Sequence, residues 1–391
     1  MRQRKRRFRR TPCYMSEEMI REIMVWLPVK SLIRSRSVCK AWQAIISDPV
    51  FILAHLHCST SKWEQDPCVL ISPHTLDFFL PGEQWPSTFS NHIHFYQWRP
   101  SSPGVAKFLH AKKFIDGMFT QVYNFAYCDG LVLTPTDNLL YLFNPATRDA
   151  ISLPHSNNRR SGISVQGGSG RQAFYRTIDA KANLYRMGME VFTVGEGAGD
   201  DASFWKELPG DLPFPIKKWQ TALTVKRRFL FWRIDRARHQ QRTARGLLRL
   251  DLSDESFTVT ALPDAMGSRN DACIIDELHG ELCLTARCSE TTAAATVWAM
   301  EVDDDGRQGQ WERRYSVRFP RLCHVMAPLP DGRLLLWNMT DLYGYEAPEL
   351  ELEPVCEMDE IRYEGRRKRR WKNLWSFNVK PYTESLVRLT A

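Results

Sequence analysis

The sequence of 391 residues has few of the features that mark membrane, secreted and zinc-binding proteins. No apolar run approaches the roughly 18 residues that a membrane-spanning helix needs. The first residues are rich in arginine and lack an apolar core, so we expect no secretory signal. The ten cysteines stand singly and form no C-x-x-C motif, which favours reduced thiols over disulfides or a zinc site. These absences favour a nuclear or cytosolic protein without a membrane span.

Common catalytic motifs are also missing. The chain contains no G-x-S-x-G, H-E-x-x-H or Walker A pattern. A glycine-rich stretch at 195–199 leads into Asp200-Asp201, whose charge would repel a phosphate, so it predicts a hairpin tip. We therefore predict no catalytic residue, no metal and no cofactor.

Positive charge is concentrated in two short stretches. Residues 2–10 carry seven Arg or Lys side chains, and residues 366–370 carry five. Without these twelve cations, the formal net charge of +8 becomes −4, so a nucleic-acid-binding surface over the whole fold is not indicated. Residues 1–12 are predicted to be disordered. Within them, a candidate nuclear-localisation patch comprises Arg4, Lys5, Arg6 and Arg7, with a solvated basic tail as the alternative.

Residues 13–56 predict a small helical unit. Ser16 is a good N-cap, and the helix that follows has one apolar face before Pro28 ends it. Ser31 is predicted to cap a short second helix and Ser37 a third. Asp48-Pro49 would end the third helix, with one or two further turns up to Leu56. A unit of this size lacks a sufficient core of its own, so it either docks a partner or caps the downstream domain.

Four stretches of this unit closely resemble the F-box motif. They are Glu18–Ile23, Leu27–Leu32, Val38–Trp42 and Asp48–Phe51, in the family's order and spacing. The resemblance implies docking on the Skp-type adaptor of a cullin-containing ubiquitin ligase. The predicted adaptor-binding residues are Ile20, Ile23, Leu27, Pro28, Leu32, Val38, Cys39 and Trp42. Met15-Ser16 stand where the family usually has Leu-Pro, which predicts a retained fold and weaker adaptor contact.

Residues 57–120 predict a connecting β-rich segment that belongs to the downstream domain. Short apolar runs at 68–71, 75–80 and 93–98 are typical of strands. His92 and His94 alternate onto one face of the last run. No acidic or Cys partner lies nearby, so we interpret them as partly buried strand histidines rather than metal ligands.

Residues 121–391 predict a β-propeller. Units of strand, turn, strand, turn and strand recur at a period of roughly 50 residues, which is typical of propeller blades. The repeat is degenerate and allows five to seven blades. The fold class is therefore α+β, with a small helical F-box followed by a large all-β, propeller-like domain.

The β region also resembles the plant F-box-associated domain. The resemblance rests on Cys128–Val132, Asn144–Arg148, Phe204–Pro209 and Gly280–Cys283, whereas the glycine-rich stretch at 161–174 matches poorly. Together with the F-box, it implies the substrate-recognition subunit of a Skp–cullin–F-box ubiquitin ligase. Such a subunit binds the adaptor and a target protein, brings them together, and performs no chemistry itself.

Two other motifs suggest alternatives. Glu301–Gly306 with Glu312 nearly fits a calcium loop, but its flanks are strand-like, so an acidic β-turn is predicted. The run at 366–370, beside Trp371 and Trp375, could neutralise and stack on RNA. A second nuclear signal or a solvated loop is the preferred interpretation of this run. The alternative functions are therefore a nuclear propeller that binds nucleic acid, and a propeller enzyme or lectin with no visible site residues.

Overall fold

The structure is a computed structural model, and it describes residues 15–77, 90–114, 125–136, 139–154, 164–166, 171–179, 184–192, 205–217, 222–235, 245–266, 272–287, 294–318, 322–346, 352–367 and 370–389. Side chains are described for all of these except residues 135, 164–186 and 352. The candidate nuclear-localisation patch and the glycine-rich stretch at 195–199 lie outside the described residues.

Four helices form the N-terminal unit. They are α1 (Glu17–Met24), α2 (Val29–Ser35), α3 (Lys40–Ser47) and α4 (Pro49–Gln65). The Ser16 hydroxyl accepts a hydrogen bond from the Met19 backbone N–H at 3.3 Å, and Glu17 and Glu18 occupy the first turn. The predicted start of the first helix is therefore confirmed.

The other helix starts differ from the predicted ones. Helix α2 begins after Pro28 rather than at Ser31, and α3 is capped by the Cys39 sulfur instead of Ser37. The Val29 N–H at the start of α2 donates to Glu384, a residue 355 positions away. Local sequence could not show this cap because its acceptor comes from the other end of the chain. Asp48 caps α4, which continues to Gln65, well past the predicted end at Leu56.

Within the described ranges, all the remaining elements are strands, and they form six sheets. The closing sheet has the order β24-β3-β2-β1-β25, with β1 (Val69–Thr75), β2 (His92–Trp98), β3 (Val105–Lys113), β24 (Arg362–Tyr363) and β25 (Leu374–Pro381). Five sheets have four antiparallel strands each. In chain order, the first of these sheets contains β4 (Ala126–Cys128), β5 (Leu131–Pro135), β6 (Leu140–Asn144) and β7 (Asp149–Leu153), and the second contains β8 (Ser164–Gln166), β9 (Arg171–Asp179), β10 (Leu184–Val191) and β11 (Lys206–Glu207). The third contains β12 (Leu223–Val225), β13 (Phe229–Arg233), β14 (Gly246–Asp251) and β15 (Phe257–Ala261), and the fourth contains β16 (Cys273–Leu278), β17 (Glu281–Arg287), β18 (Ala294–Met300) and β19 (Glu312–Arg318). The fifth contains β20 (His324–Pro328), β21 (Leu334–Trp337), β22 (Asp341–Tyr345) and β23 (Leu352–Glu357).

These sheets are the blades of a propeller. The first strand of one blade contacts the first strand of the next, from β12 to β16 to β20, and β20 contacts β25. Strand β25, the last strand of the chain, pairs with β1 along its whole length. The first three strands and the last one therefore share a blade, and this pairing closes the ring. Cores between neighbouring blades bury large side chains completely, among them Trp98, Trp232 and Trp337. The predicted fold class of a helical unit followed by an all-β propeller is confirmed.

The repeat seen in the sequence corresponds to the outer strands of the blades. The units that begin near 228, 279 and 331 contain β13–β15, β17–β19 and the start of β21–β23. Each of these blades has one more strand on its inner side, β12, β16 or β20. These inner strands are short or only partly apolar, which explains why the pattern does not reveal them.

Among the described residues, no helix is both long enough and apolar enough to span a membrane. The same residues contain no group of three or more His, Cys, Asp or Glu side chains arranged to hold a metal ion.

Ring closure should be sensitive to acid through His74. This buried side chain in β1 faces Asn378 in β25, with Asn378 Nδ2 donating to His74 Nε2 at 2.5 Å. Burial lowers the pKa of His74 to about 3, from an ordinary value of 6.5. Below pH 6.5 the unfolded chain takes up a proton that the folded chain rejects. Stability is therefore lost as the pH falls, by about 1.4 kcal/mol per pH unit for this group.

Denaturation between pH 6 and pH 4 measures this loss. His74→Gln retains an acceptor for Asn378 but does not titrate. The slope of its free energy of unfolding against pH should therefore be lower than that of the wild type by about 1.4 kcal/mol per pH unit. His57→Gln, which changes an exposed histidine of α4, is the matched control and should keep the wild-type slope. An unchanged slope in His74→Gln would show that His74 is not responsible.

Candidate functional site

The four helices have a small core of their own. It contains Met24, Val29, Leu32, Ile45, Ile46 and Phe51, together with Leu386 from the C-terminal tail. Leu32 has no exposed surface, and the same is true of Val29 and Ile46. These side chains set the shape of the unit and are not available at its surface.

A second set of apolar side chains on the same helices faces solvent. Met19 and Ile23 lie four residues apart on one side of α1, and Met15 and Trp26 flank the helix just before its N-cap and just after its C-cap. Their exposed fractions lie between 41% and 54%, and Val50 and Leu53 on α4 are exposed at 72% and 60%. With Val38 (62%), these seven side chains form what we call the apolar helical surface. Exposed apolar side chains grouped in this way are typical of a protein-binding surface.

Contacts between α1 and the final helix fix this surface. Arg21 on α1 pairs with Glu17 at 3.2 Å and with Asp48, the N-cap of α4, at 2.7 Å. Farther along, Lys62 donates to the Trp26 carbonyl, and its Nζ lies 5.3 Å from the centre of the Trp26 ring. These contacts therefore fix the position of α1 relative to α4 and of the exposed apolar side chains that the two helices carry. Less conformational entropy would then be lost when a partner binds.

The eight predicted adaptor-binding residues occupy three environments. Ile23, Pro28, Val38 and Cys39 are exposed. Ile20, Leu27 and Trp42 are half-buried against the helical core, and Leu32 lies within it. The four exposed and three half-buried residues therefore lie at the surface of the helical unit or just beneath it. Leu32 can act only through packing in the core. Sequence reasoning missed Met19 and Trp26, although their spacing from Met15 carried the signal. It also missed Val50 and Leu53, which lie within the turns predicted up to Leu56 but were not assigned to the docking surface.

The C-terminal tail attaches the helical unit to the propeller. Glu384 accepts from the Val29 N–H at 2.8 Å, and Leu386 inserts into the helical core. The tail is held in turn by Asn144, whose Nδ2 donates to the carbonyls of Ser385 (2.9 Å) and Val387 (2.8 Å). The helices and the blades are thus linked by side-chain contacts that are largely buried.

A glycine on the same blade makes room for the tail. Gly130 has a φ of +81°, and a Cβ at this position would lie 2.6 Å from the Thr383 carbonyl oxygen and 2.7 Å from the Ser385 Cβ. Both the conformation and the close approach require glycine. Gly130 and Asn144 therefore both help to hold the C-terminal tail against the propeller. They belong to two of the four stretches that resemble the F-box-associated domain.

Comparison with known proteins agrees with this geometry. Residues 13–53 match the F-box domain. The F-box includes α1, α2, α3 and the start of α4, and it contains the whole apolar helical surface. Beyond the F-box, the chain is similar to Arabidopsis thaliana proteins along most of its length. One F-box/kelch-repeat protein is 24% identical over 358 residues, covering 85% of this chain and 79% of that protein.

Two further relatives come from the same plant. An F-box protein is 23% identical over 329 residues, covering 77% of this chain and 72% of that protein. Another F-box/kelch-repeat protein is 50% identical over a shorter stretch of 46 residues, which is 12% of this chain and 13% of that protein. The chain therefore combines an F-box with a β-propeller, and its relatives carry F-box and kelch-repeat names.

The loop that resembled a calcium site is a turn between two strands. It joins β18 to β19, and backbone hydrogen bonds from Asp303 to Arg307 and from Gly306 to Asp303 close it, both at 2.9 Å. Arg249 donates to the Gly306 carbonyl at 2.6 Å, and Lys226 pairs with Asp304 at 3.1 Å. The predicted strands on either side are confirmed, and the acidic side chain of Asp304 already has a cation beside it.

The two strand histidines differ in exposure. The His94 ring is half-buried between His92 and Tyr96, at 6.4 Å from each, and burial lowers the pKa of His94 to about 4. His92 is exposed at the start of β2. The interpretation as partly buried strand residues therefore holds for His94, and His92 lies nearer the surface than predicted.

Arg366, the first residue of the basic run, packs on an aromatic cluster of the closing sheet. The Arg366 guanidinium carbon lies 3.4 Å from the centre of the Trp371 ring, and that ring also contacts Tyr96 and Tyr363. Arg366 therefore covers one face of Trp371, which leaves less of that ring for stacking on a base. Trp375 remains exposed at 38%.

Proposed function

We propose that this chain is the substrate-recognition subunit of a Skp–cullin–F-box ubiquitin ligase. In this proposal the apolar helical surface docks on a Skp-type adaptor, and the adaptor links the chain to a cullin. The propeller, which we assign to the F-box-associated type, captures a target protein and presents it for ubiquitin transfer. The chain contributes proximity and orientation, with no catalytic residue of its own.

The observation that carries the proposal is the exposure of the apolar helical surface within the F-box. The helical core is already complete without these side chains, so folding does not explain why they are apolar. Burying them against a partner would remove apolar area from water, at roughly 25 cal/mol for each Å². The rigid attachment through Glu384 and Leu386 supports the same role, because it would hold a target on the propeller at a fixed position relative to the adaptor.

Localisation forms a separate part of the proposal. We place the chain in the nucleus, the cytoplasm or both, on the basis of the Arg4–Arg7 patch and the single cysteines.

Capture of the adaptor from a co-expressed mixture tests the docking role. The tagged wild-type chain should retain both a Skp-type adaptor and a cullin. Ile23→Asp should lose both, because an aspartate at a buried interface must give up its hydration without gaining a partner. Ile23 is 51% exposed, so this change should leave the fold intact.

Val259→Asp is the matched control. It places the same charge at a similarly exposed position, 39%, on β15 of the propeller, and should capture both proteins as the wild type does. If Ile23→Asp retains the adaptor as well as this control does, the surface has been wrongly assigned.

A further inference from the structure

The propeller encloses a cavity that adaptor docking does not use. Its volume is about 760 Å³, within the range of sites that hold small organic ligands or the end of a peptide. The inner strands β12, β16, β20 and β25 contribute to its wall, together with residues in and beside β4 and four residues of α4. The cavity therefore lies at the centre of the ring, where the C-terminal half of α4 meets the propeller.

Much of the wall is apolar or aromatic. Its apolar side chains include Trp63 from α4, Phe125, Leu223, Ile275 and Val325. A surface of this kind favours the hydrocarbon or aromatic body of a ligand, because contact removes apolar area from water. A few polar groups would then determine which ligands fit.

Four of the five carboxylates on the wall already have partners. Asp276 accepts from His324 Nδ1 at 2.8 Å and from the Val325 N–H at 2.9 Å, while Glu64 on α4 faces solvent. The remaining three are held individually: Asp129 by Arg227 at 2.9 Å, Asp304 by Lys226 at 3.1 Å, and Glu277 by the Gly280 N–H at 2.6 Å. Two of the cationic side chains on the wall are thus committed to carboxylates of this chain.

Lys380 is the exception among the lysine and arginine side chains on the wall, since Arg233 donates to the Cys273 carbonyl. Lys380 lies on β25, the inner edge strand of the closing sheet, and its side chain makes no hydrogen bond or ion pair with the described residues. Burial lowers its pKa because the ammonium is desolvated, and the charge of Asp276 only partly offsets this effect. Lys380 is half-buried on the cavity wall, and a partly desolvated ammonium is stabilised by an anion beside it.

We propose that the central cavity binds a ligand with a carboxylate on an apolar or aromatic body, and that the Lys380 ammonium pairs with this carboxylate. The ligand is either a small organic acid or the carboxylate of a peptide from a target protein. Since Trp63 and Glu64 of α4 line the same cavity, the bound ligand lies beside the helix that follows the F-box core. The site stands on its own geometry and does not depend on adaptor docking.

Direct binding to the purified full-length chain tests the site. The probes are 2-naphthoate and 4-phenylbutanoate, each with its neutral amide, and a random hexapeptide pool with free or amidated C-termini. We expect the wild type to bind at least one carboxylate probe and to reject its amide. Binding of the naphthoate or phenylbutanoate indicates a small-acid site, and binding of the free pool alone indicates a peptide site. The proposal is overturned if no carboxylate probe binds, or if an amide binds as tightly.

Variants at two lysines locate the bound carboxylate. Lys380→Met keeps the length of the side chain and removes its charge, so it should weaken binding of the carboxylate probe at least about tenfold. Lys372→Met changes an exposed lysine just before β25 and should bind as the wild type does. Wild-type affinity in a folded Lys380→Met variant would also overturn the proposal. Adaptor capture, measured on the same samples, reports independently on the proposed function.

Discussion

Replacing Asn144 with alanine should release the C-terminal tail and reduce the free energy of unfolding by about 2–5 kcal/mol. Asn144 is completely buried, and its amide uses all four of its hydrogen-bonding positions. Nδ2 donates to the carbonyls of Ser385 and Val387, and Oδ1 accepts from the N–H groups of Ala146 and Thr147. Alanine leaves the two tail carbonyls without their donor.

The consequence should extend to the helical unit. The released tail carries Glu384, which caps α2, and Leu386, which fills the helical core. Asn144→Ala should therefore expose the tail to proteolysis and weaken adaptor capture, although Asn144 lies on a propeller blade. Thermal unfolding, limited proteolysis and capture measure the three effects.

Asn338→Ala is the matched control for this prediction. Asn338 is also buried and also closes a turn, accepting from the N–H groups of Thr340 and Asp341. Its turn lies in another blade, between β21 and β22. This variant should lose stability and keep both the protected tail and adaptor capture. Equal capture by the two variants would show that the tail does not hold the helices.

Replacing Leu32 with alanine should unfold the helical unit while the propeller stays folded. Leu32 is completely buried in a core of only a few side chains, and truncation of such a leucine typically costs about 2–5 kcal/mol. The unit has too small a core to absorb this loss. Adaptor capture should disappear, and a thermal transition of the propeller should remain.

Leu32→Met distinguishes packing from contact. This substitution nearly conserves volume and typically costs less than about 1.5 kcal/mol, so the unit should fold and capture the adaptor. Loss of capture by a folded Leu32→Met variant would place Leu32 in the interface and contradict its burial.

The sequence predicted the architecture because its local signals agreed with the fold. Ser16 caps α1 as its position indicated, and the repeated strand and turn patterns correspond to β13–β15 and β17–β19. The F-box helices could be located for the same reason. Most of the predicted docking residues lie at or beside the surface because the family motif records surface positions as well as core positions.

The contacts that join distant parts of the chain could not be predicted in this way. The cap of α2 by Glu384, the tail held by Asn144 and the closure of β1 by β25 each join residues about 240 or more positions apart. The position of Lys380 in the central cavity could not be predicted either, because the residues next to it in the sequence do not show that β25 lies at the inner edge of its blade. Leu32 was predicted as a contact because the family motif alone does not separate the buried face of a helix from its binding face.

The affinity of the purified chain for a purified Skp-type adaptor tests the central claim most directly. Met15-Ser16 replace the Leu-Pro that usually opens an F-box, but Ser16 still caps α1, and Met15 extends the apolar helical surface. Calorimetry should therefore show one-to-one binding with a Kd below about 1 µM, weakened at least about tenfold by Ile23→Asp. A folded wild-type chain that shows no binding at adaptor concentrations up to about 100 µM would contradict the claim.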